Sequence, residues 1–338
     1  MKAIGFHQPL PIDHPESLLD LTLPEPIARG QDVLVEVRAI AANPVDTKVR
    51  RSAQPPAGEA RVLGWDAAGV VRAVGDKVTL FEPGDRVWYA GALNRPGSNA
   101  ELQLVDERIV GRAPQSLSFA QAAALPLTTL TAWELLFDRL QVQLADPVED
   151  NRMLVIGAGG GVGSILLQLA RRLSAITLIG TASRAETRQW VLDQGAHHVI
   201  DHRLPLLPQL QGLGFDDVSH VVSLTHTDQY VAQIVDVLRP EGRFALIDDP
   251  PQLDLLPFKR KSLSVHWELM FTRSLFGTRS MIRQHEILQR VATLVDEGAV
   301  RTTMTERIMG IDAANLRRAH QQIESATTRG KLVLEGFQ

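Results

Sequence analysis

The stretch Met153-Leu-Val-Ile-Gly157-Ala158-Gly159-Gly160-Gly161-Val162-Gly163-Ser-Ile-Leu-Leu-Gln-Leu-Ala170 decides how this chain folds. It opens on an apolar run without alternation, as in a strand buried on both faces. Five glycines follow among residues 157–163, and from Val162 apolar residues recur at Ile165 or Leu166, Leu169 and Leu173, the spacing of a helix with one stripe against a sheet. The glycines therefore sit at a helix N-terminus. There, unpaired backbone N–H groups and the positive end of the helix dipole favour an anion, and the missing Cβ atoms let a phosphate come close. The expected ligand is a dinucleotide pyrophosphate, held at Gly160, Gly161, Val162 and Gly163. Against G-x-G-x-x-G the match is incomplete, because Ala158 takes the first glycine position; a glycine-rich surface turn is the bland alternative.

About twenty residues on, a second buried strand, Ala175–Thr181, runs into Ala182-Ser183-Arg184. An NAD-selective site places a carboxylate here for the ribose 2′-hydroxyl. The acid is missing, and a hydroxyl with a guanidinium accommodates a 2′-phosphate that a carboxylate would repel. Ser183 and Arg184 therefore point to NADPH. A helix cap at Ser183 with a solvated Arg184 is the bland alternative.

The 338 residues suggest about two domains of ordinary globular composition, 44% hydrophobic and 22% charged. The net charge is −4, and without a long block of one sign nothing recommends nucleic acid or a membrane surface as partner; a small-molecule substrate is expected. There are no cysteines, which excludes disulfides, a thiolate nucleophile and any cysteine-ligated metal. The N-terminus lacks a signal-peptide apolar core, so a cytoplasmic location is expected.

Residues 1–120 carry short β-type runs between Gly, Pro and acidic turns (Asp32–Ile40, Ala67–Gly75, Asp85–Tyr89), the pattern of a compact barrel-like β domain. From Ser118 the character turns helical. After the two strands already described come a helix over Ala185–Gln194, a strand near Val199-Ile200, a strand over Val218–Leu224, a helix near Tyr230–Leu238 ending at Pro240-Glu-Gly242, and strands at Phe244–Asp248 and Ser262–Trp267. That alternation implies α/β architecture with a doubly wound parallel sheet. Beyond Trp267 a helix (about Arg279–Glu297), a strand (Arg301–Met309), a helix (Asp312–Ala326) and a closing strand (Lys331–Glu335) could join either domain.

Asn43-Pro-Val-Asp46, Leu63-Gly-Trp65-Asp66-Ala-Ala-Gly69, Gly84-Asp-Arg-Val87, Ala124–Trp133, Gly160–Gly163 and Gly330-Lys331-Leu-Val-Leu334 occur in the order of the medium-chain dehydrogenase/reductase superfamily, which the chain resembles over nearly its whole length. Within it the chain is most similar to the zinc-free quinone oxidoreductase branch, often labelled zinc-type alcohol dehydrogenase-like. The resemblance implies a GroES-like β-barrel catalytic domain from residues 1–123 and 268–338, a Rossmann nucleotide-binding domain over 124–267, and a homodimer. It also implies roles: Asn43 as a hydrogen-bond donor near the substrate oxygen or nicotinamide ribose, Thr129 beside the nicotinamide, Lys331 facing the pyrophosphate, His202 near the adenosine end and Trp65 as a pocket wall. For Asn43 and Thr129 a cap or turn hydrogen bond is the bland alternative.

The zinc enzymes of the superfamily bind catalytic metal through two cysteines and a histidine. By the resemblance Asn43, Trp65 and Leu127 stand at those positions, and none is a good zinc ligand, so no metal is expected. His197, His198, Asp201 and His202 form a second group, better read as a solvated turn than as a metal site. Without a Lewis acid, an alcohol–ketone interconversion lacks its usual charge stabiliser. A quinone or α,β-unsaturated carbonyl, which spreads the incoming charge over a conjugated system, fits better and needs only hydrogen-bond donors at its oxygen. The alternatives are an alcohol dehydrogenase acting on an alcohol/ketone pair and an NADPH-binding sensor without turnover.

Overall fold

The computed structural model describes residues 1–143 and 151–337. The chain forms two compact units, Met1–Leu130 with Phe271–Gln338, and Thr131–Met270. Its N-terminal part holds strands β1 (Lys2–Phe6), β2 (Leu19–Thr22), β3 (Asp32–Ala41), β4 (Arg61–Val62), β5 (Ala67–Val74), β6 (Arg86–Tyr89), β7 (Leu102–Asp106) and β8 (Val110–Arg112), with helices α1 (Pro44–Ser52), α2 (Phe119–Ala123) and α3 (Pro126–Trp133). The central part holds β9 (Arg152–Ile156), β10 (Thr177–Thr181), β11 (His198–Ile200), β12 (Val218–Ser223), β13 (Leu238–Leu246) and β14 (Ser264–Trp267), with α4 (Gly161–Leu173), α5 (Ala185–Asp193), α6 (Leu206–Gly212) and α7 (Thr227–Val237). The chain closes on α8 (Thr272–Leu275), α9 (Arg283–Asp296), β15 (Met304–Met309), α10 (Ala313–Glu324) and β16 (Lys331–Glu335).

The first unit is built on β3, whose Val33, Val35, Val37, Ala39 and Ile40 are all buried. β3 is antiparallel to β5, β7 and β16. The larger sheet runs β15-β16-β3-β5-β6-β8, so the C-terminal tail, which either domain could have received on sequence grounds, completes the first unit. Its register sets Val333 opposite Ala41 and Leu334 opposite Ile40. α2 packs on β3, β5 and β16, and the first unit runs to Leu130, within α3, rather than to 123.

The second unit is a six-stranded sheet in the order β11-β10-β9-β12-β13-β14, parallel throughout. Leu154, Ile156, Ile179, Val221, Phe244 and Leu246 fill its core, with the Phe244 and Phe258 rings stacked at 5.7 Å. Strand order reverses between β9 and β12, and in open α/β sheets a ligand crevice lies beyond the carboxyl ends of the strands at such a point. The expected turn at Pro240–Gly242 is instead part of β13. The strand absorbs it through a positive φ of 64° at Glu241 and a register shift against Val218/His220. Residues Glu134–Arg139 form a π-helical turn that periodicity alone does not reveal. Among the described residues no helix is long and apolar enough to cross a membrane.

Candidate functional site

The glycine turn leads from β9 into α4 as its residue types require. Gly157 adopts φ +80°, in the left-handed region. Gly163 cannot carry a side chain, since a Cβ there would stand 2.5 Å from the Ala158 carbonyl oxygen and 2.6 Å from Ala158 Cα. Gly160 differs. It caps α4 with φ −77° and ψ −177°, ordinary extended backbone, and a Cβ there would meet only Gly157 O at 3.6 Å. The protein itself does not demand a glycine at 160; the space beside the helix N-terminus is left open for an anion.

Beyond β10, Arg184 is exposed at the N-terminus of α5 and Ser183 is half-buried. The structure adds Arg203, which the sequence reading missed. Its guanidinium donates to the Ser183 carbonyl at 3.4 Å and grips Asp201 at 2.7–3.2 Å, which holds that carboxyl down to about 2. His202, Arg203, His226, Gln229, Tyr230 and Gln233 line an open cleft of about 490 Å³, and burial lowers the His202 imidazole from its ordinary value. His197 and His198 are engaged elsewhere. His197 Nδ1 accepts from the Leu178 N–H at 2.9 Å, and the His198 ring stands edge-on to Phe215 at 5.4 Å. Among the described residues no three His or acidic side chains converge as a metal site.

In the first unit, four distant stretches meet around one buried ion pair. Lys331, the first residue of β16, is 3% exposed, and its ammonium donates to Ala42 O at 3.0 Å, to Asp66 Oδ2 at 2.9 Å and to Asn43 Oδ1. Asp66 Oδ2 also accepts from Asn43 Nδ2 at 3.0 Å, and Asp66 Oδ1 accepts from the Leu127 N–H at 2.8 Å, where α3 begins. The second Asn43 Nδ2 hydrogen goes to Ala41 O at 3.2 Å, and the Asn43 N–H reaches Asp46 Oδ2 at 2.7 Å. Burial raises the Asp66 carboxyl, against the Lys331 ammonium, the Leu127 N–H and the Asn43 amide, which lower it. Asp46 is raised to about 7, again mainly by burial, opposed by the Asn43 N–H and by Lys331. Two buried carboxyls near one ammonium cannot both ionise cheaply, and Asp66 has the stronger donors, so Asp46 is the more readily protonated of the two.

This geometry corrects three expectations. Lys331 does not face a pyrophosphate, because an ammonium has three N–H donors and all three are used inside the first unit. Asn43 has no hydrogen left to donate, since both amide protons are bound, and its side chain is further engaged in a capping box with Asp46 at the start of α1. Trp65 is no pocket wall but a core residue, 1% exposed, its Nε1 donating to Ala92 O at 3.2 Å and its ring edge-on to Phe271 at 6.3 Å. Thr129 is 0% exposed on α3, and among the described residues its Oγ1 has no hydrogen-bond partner. Asp66, to which the sequence analysis gave no role, is the hub; a charge between Gly64-Trp65 and the apolar start of β5 was the available signal.

Zinc does not fit this set. Asn43 and Leu127 supply at most one neutral side-chain oxygen, already bonded to a cation, and the Trp65 nitrogen is a donor only.

Residues 29–128 match the alcohol dehydrogenase GroES-like domain family, and residues 194–334 match the zinc-binding dehydrogenase family. A zinc-type alcohol dehydrogenase-like protein of Staphylococcus epidermidis is 39% identical over 99% of both chains. Among solved structures, a Rhizobium etli CFN 42 protein bearing a zinc-dependent alcohol dehydrogenase name is 55% identical, with a TM-score of 0.97 over 100% of this chain and 98% of its own. Escherichia coli quinone oxidoreductase, solved in complex with NADPH, is 27% identical with a TM-score of 0.84, over 99% of this chain and 100% of that one.

Proposed function

Since the chain belongs to the medium-chain dehydrogenase/reductase superfamily, we propose that it is an NADPH-dependent oxidoreductase that passes hydride to a quinone or α,β-unsaturated carbonyl without catalytic zinc. Nicotinamide-dependent oxidoreduction follows from the family and from the glycine turn before α4. The observation that carries the finer reading is Lys331: its ammonium is bound to the Asn43 oxygen, at the position where a metal ligand would be needed.

Bound NADPH would supply the hydride. The helix N-terminus at Gly160 would receive the pyrophosphate, and Ser183, Arg184 and His202 the 2′-phosphate side, joined by Arg203 beside the Ser183 carbonyl. Asp201 sits close by, but Arg203 already neutralises it. Thr129 Oγ1, a buried hydroxyl of the first unit, would be the hydrogen-bond donor to the substrate oxygen. A conjugated acceptor needs such a donor at its oxygen and no more, whereas an alkoxide developing from a simple ketone calls for a stronger electrophile.

The test is elemental analysis together with NADPH-linked reduction of a panel of quinones and enones, before and after chelation. Chelator-resistant turnover supports the proposal. Stoichiometric zinc with activity lost on chelation would restore the alcohol dehydrogenase alternative, and cofactor binding without turnover across the panel would favour the sensor.

A further inference from the structure

We infer that NADPH binds together with a proton, taken up by the imidazoles of His202 and His226, which line one cleft with Arg203 and close on the 2′-phosphate as a cationic pair. The inference rests on the NADPH reading above and adds to it a specificity-determining residue, His226, and a dependence on pH. His226 lies in the turn after β12, the strand beside β9 where the strand order reverses. That turn lies against the glycine turn, since a Cβ on Gly157 would stand 3.1 Å from Thr225 Cγ2. His226 adopts φ 51° and ψ 37°, a left-handed conformation that is costly for any residue but glycine and is kept here at the rim of the cleft. Its Nδ1 meets Thr225 Oγ1 at 2.7 Å, and among the described residues its Nε2 and both ring nitrogens of His202 make no hydrogen bond. Arg203, from the same cleft, reaches Ser183 O at 3.4 Å, so the cleft adjoins the place where the ribose carboxylate is missing.

The charged and titratable groups about the pair are Asp201 and Arg203 after β11, Arg184 before α5, and Asp228 and Tyr230 in the first turn of α7. In the free protein burial holds the His202 imidazole below its ordinary value; Asp201 opposes this, and Arg203 and His226 reinforce it. A further positive charge is therefore unwelcome while the cleft is empty of anions. A phosphate dianion reverses the balance, because each imidazole that takes a proton gains a charge-assisted hydrogen bond to it. A ribose 2′-hydroxyl carries no charge and gives no such return, so NADH binds without the proton.

Fluorescence titration of both cofactors between about pH 8.5 and 6.5, where a phosphate monoester stays largely dianionic, reads this linkage. As pH falls across that range the wild-type association constant for NADPH should rise about tenfold, and that for NADH should change less than about twofold. H226N keeps a residue suited to the left-handed backbone and should lose part of the rise; H202Q/H226N, with both imidazoles gone, should lose nearly all of it. Calorimetry in two buffers of different ionisation heat should count close to one proton taken up per NADPH near neutral pH in the wild type and close to none in the double variant. A wild-type NADPH affinity that ignores pH, or a rise that survives in H202Q/H226N, overturns the inference while a preference for NADPH leaves the cofactor reading standing. NADPH bound no more tightly than NADH at any pH would instead remove the reading on which the inference rests.

Discussion

Gly160→Ala separates the needs of the fold from those of a ligand. The added methyl would have Gly157 O at 3.6 Å as its nearest protein neighbour, an ordinary contact, and φ −77° with ψ −177° suits alanine. The expected cost to the fold is that of replacing glycine by alanine at a helix N-cap, below about 1 kcal/mol. The same methyl stands over the open N-terminus of α4, where a phosphate would lie. Loss of one charge-assisted hydrogen bond, worth about 1.5–3 kcal/mol, should weaken NADPH binding by roughly 10- to 100-fold. Gly163→Ala is the contrast, because its Cβ meets the Ala158 backbone at 2.5 Å and backbone cannot move aside. It should cost about 2 kcal/mol of stability, lowering the thermal midpoint as well as binding. Cofactor titration by fluorescence and thermal unfolding, run on both variants, read the two effects. A Gly160→Ala protein with wild-type stability and NADPH affinity within twofold would refute the placement of the phosphate.

Arg184→Ala should lower NADPH affinity about tenfold and leave NADH affinity unchanged, as titration of both cofactors would reveal; a variant that keeps its preference counts against the 2′-phosphate assignment. His320, fully buried on α10 with both ring nitrogens unpartnered among the described residues, is held down to about 3 from an ordinary 6.5, mainly by burial and secondarily by Arg50. The unfolded chain therefore takes up a proton first, and stability is lost as pH falls below 6.5, by about 2 kcal/mol at pH 5; His320→Leu should abolish that share, and equal losses in urea midpoints between pH 7 and 5 for both proteins would disprove it. A homodimer is expected from the family, and light scattering that gives a mass near 37.2 kDa at micromolar concentration would exclude it.

What the sequence determined by itself was local. Met153–Leu173 announces strand, turn and helix because burial on both faces, glycine conformations and a period of 3.6 residues are properties of neighbouring positions. The missing acid after β10 and the absence of cysteine are equally plain in the sequence, since each concerns which chemistry is present at a position rather than what surrounds it. Where the tail belongs, and what Lys331 touches, only the tertiary structure decided. Lys331 and Asn43 lie 288 residues apart, and their contact is set by the register of β16 against β3, for which no local pattern codes. Once that register is formed, burial removes water as an alternative partner, so the ammonium, the carboxylate and the amide must satisfy one another. That constraint left an expected donor with both amide hydrogens committed inside the protein and made an expected phosphate ligand the internal cation of the site.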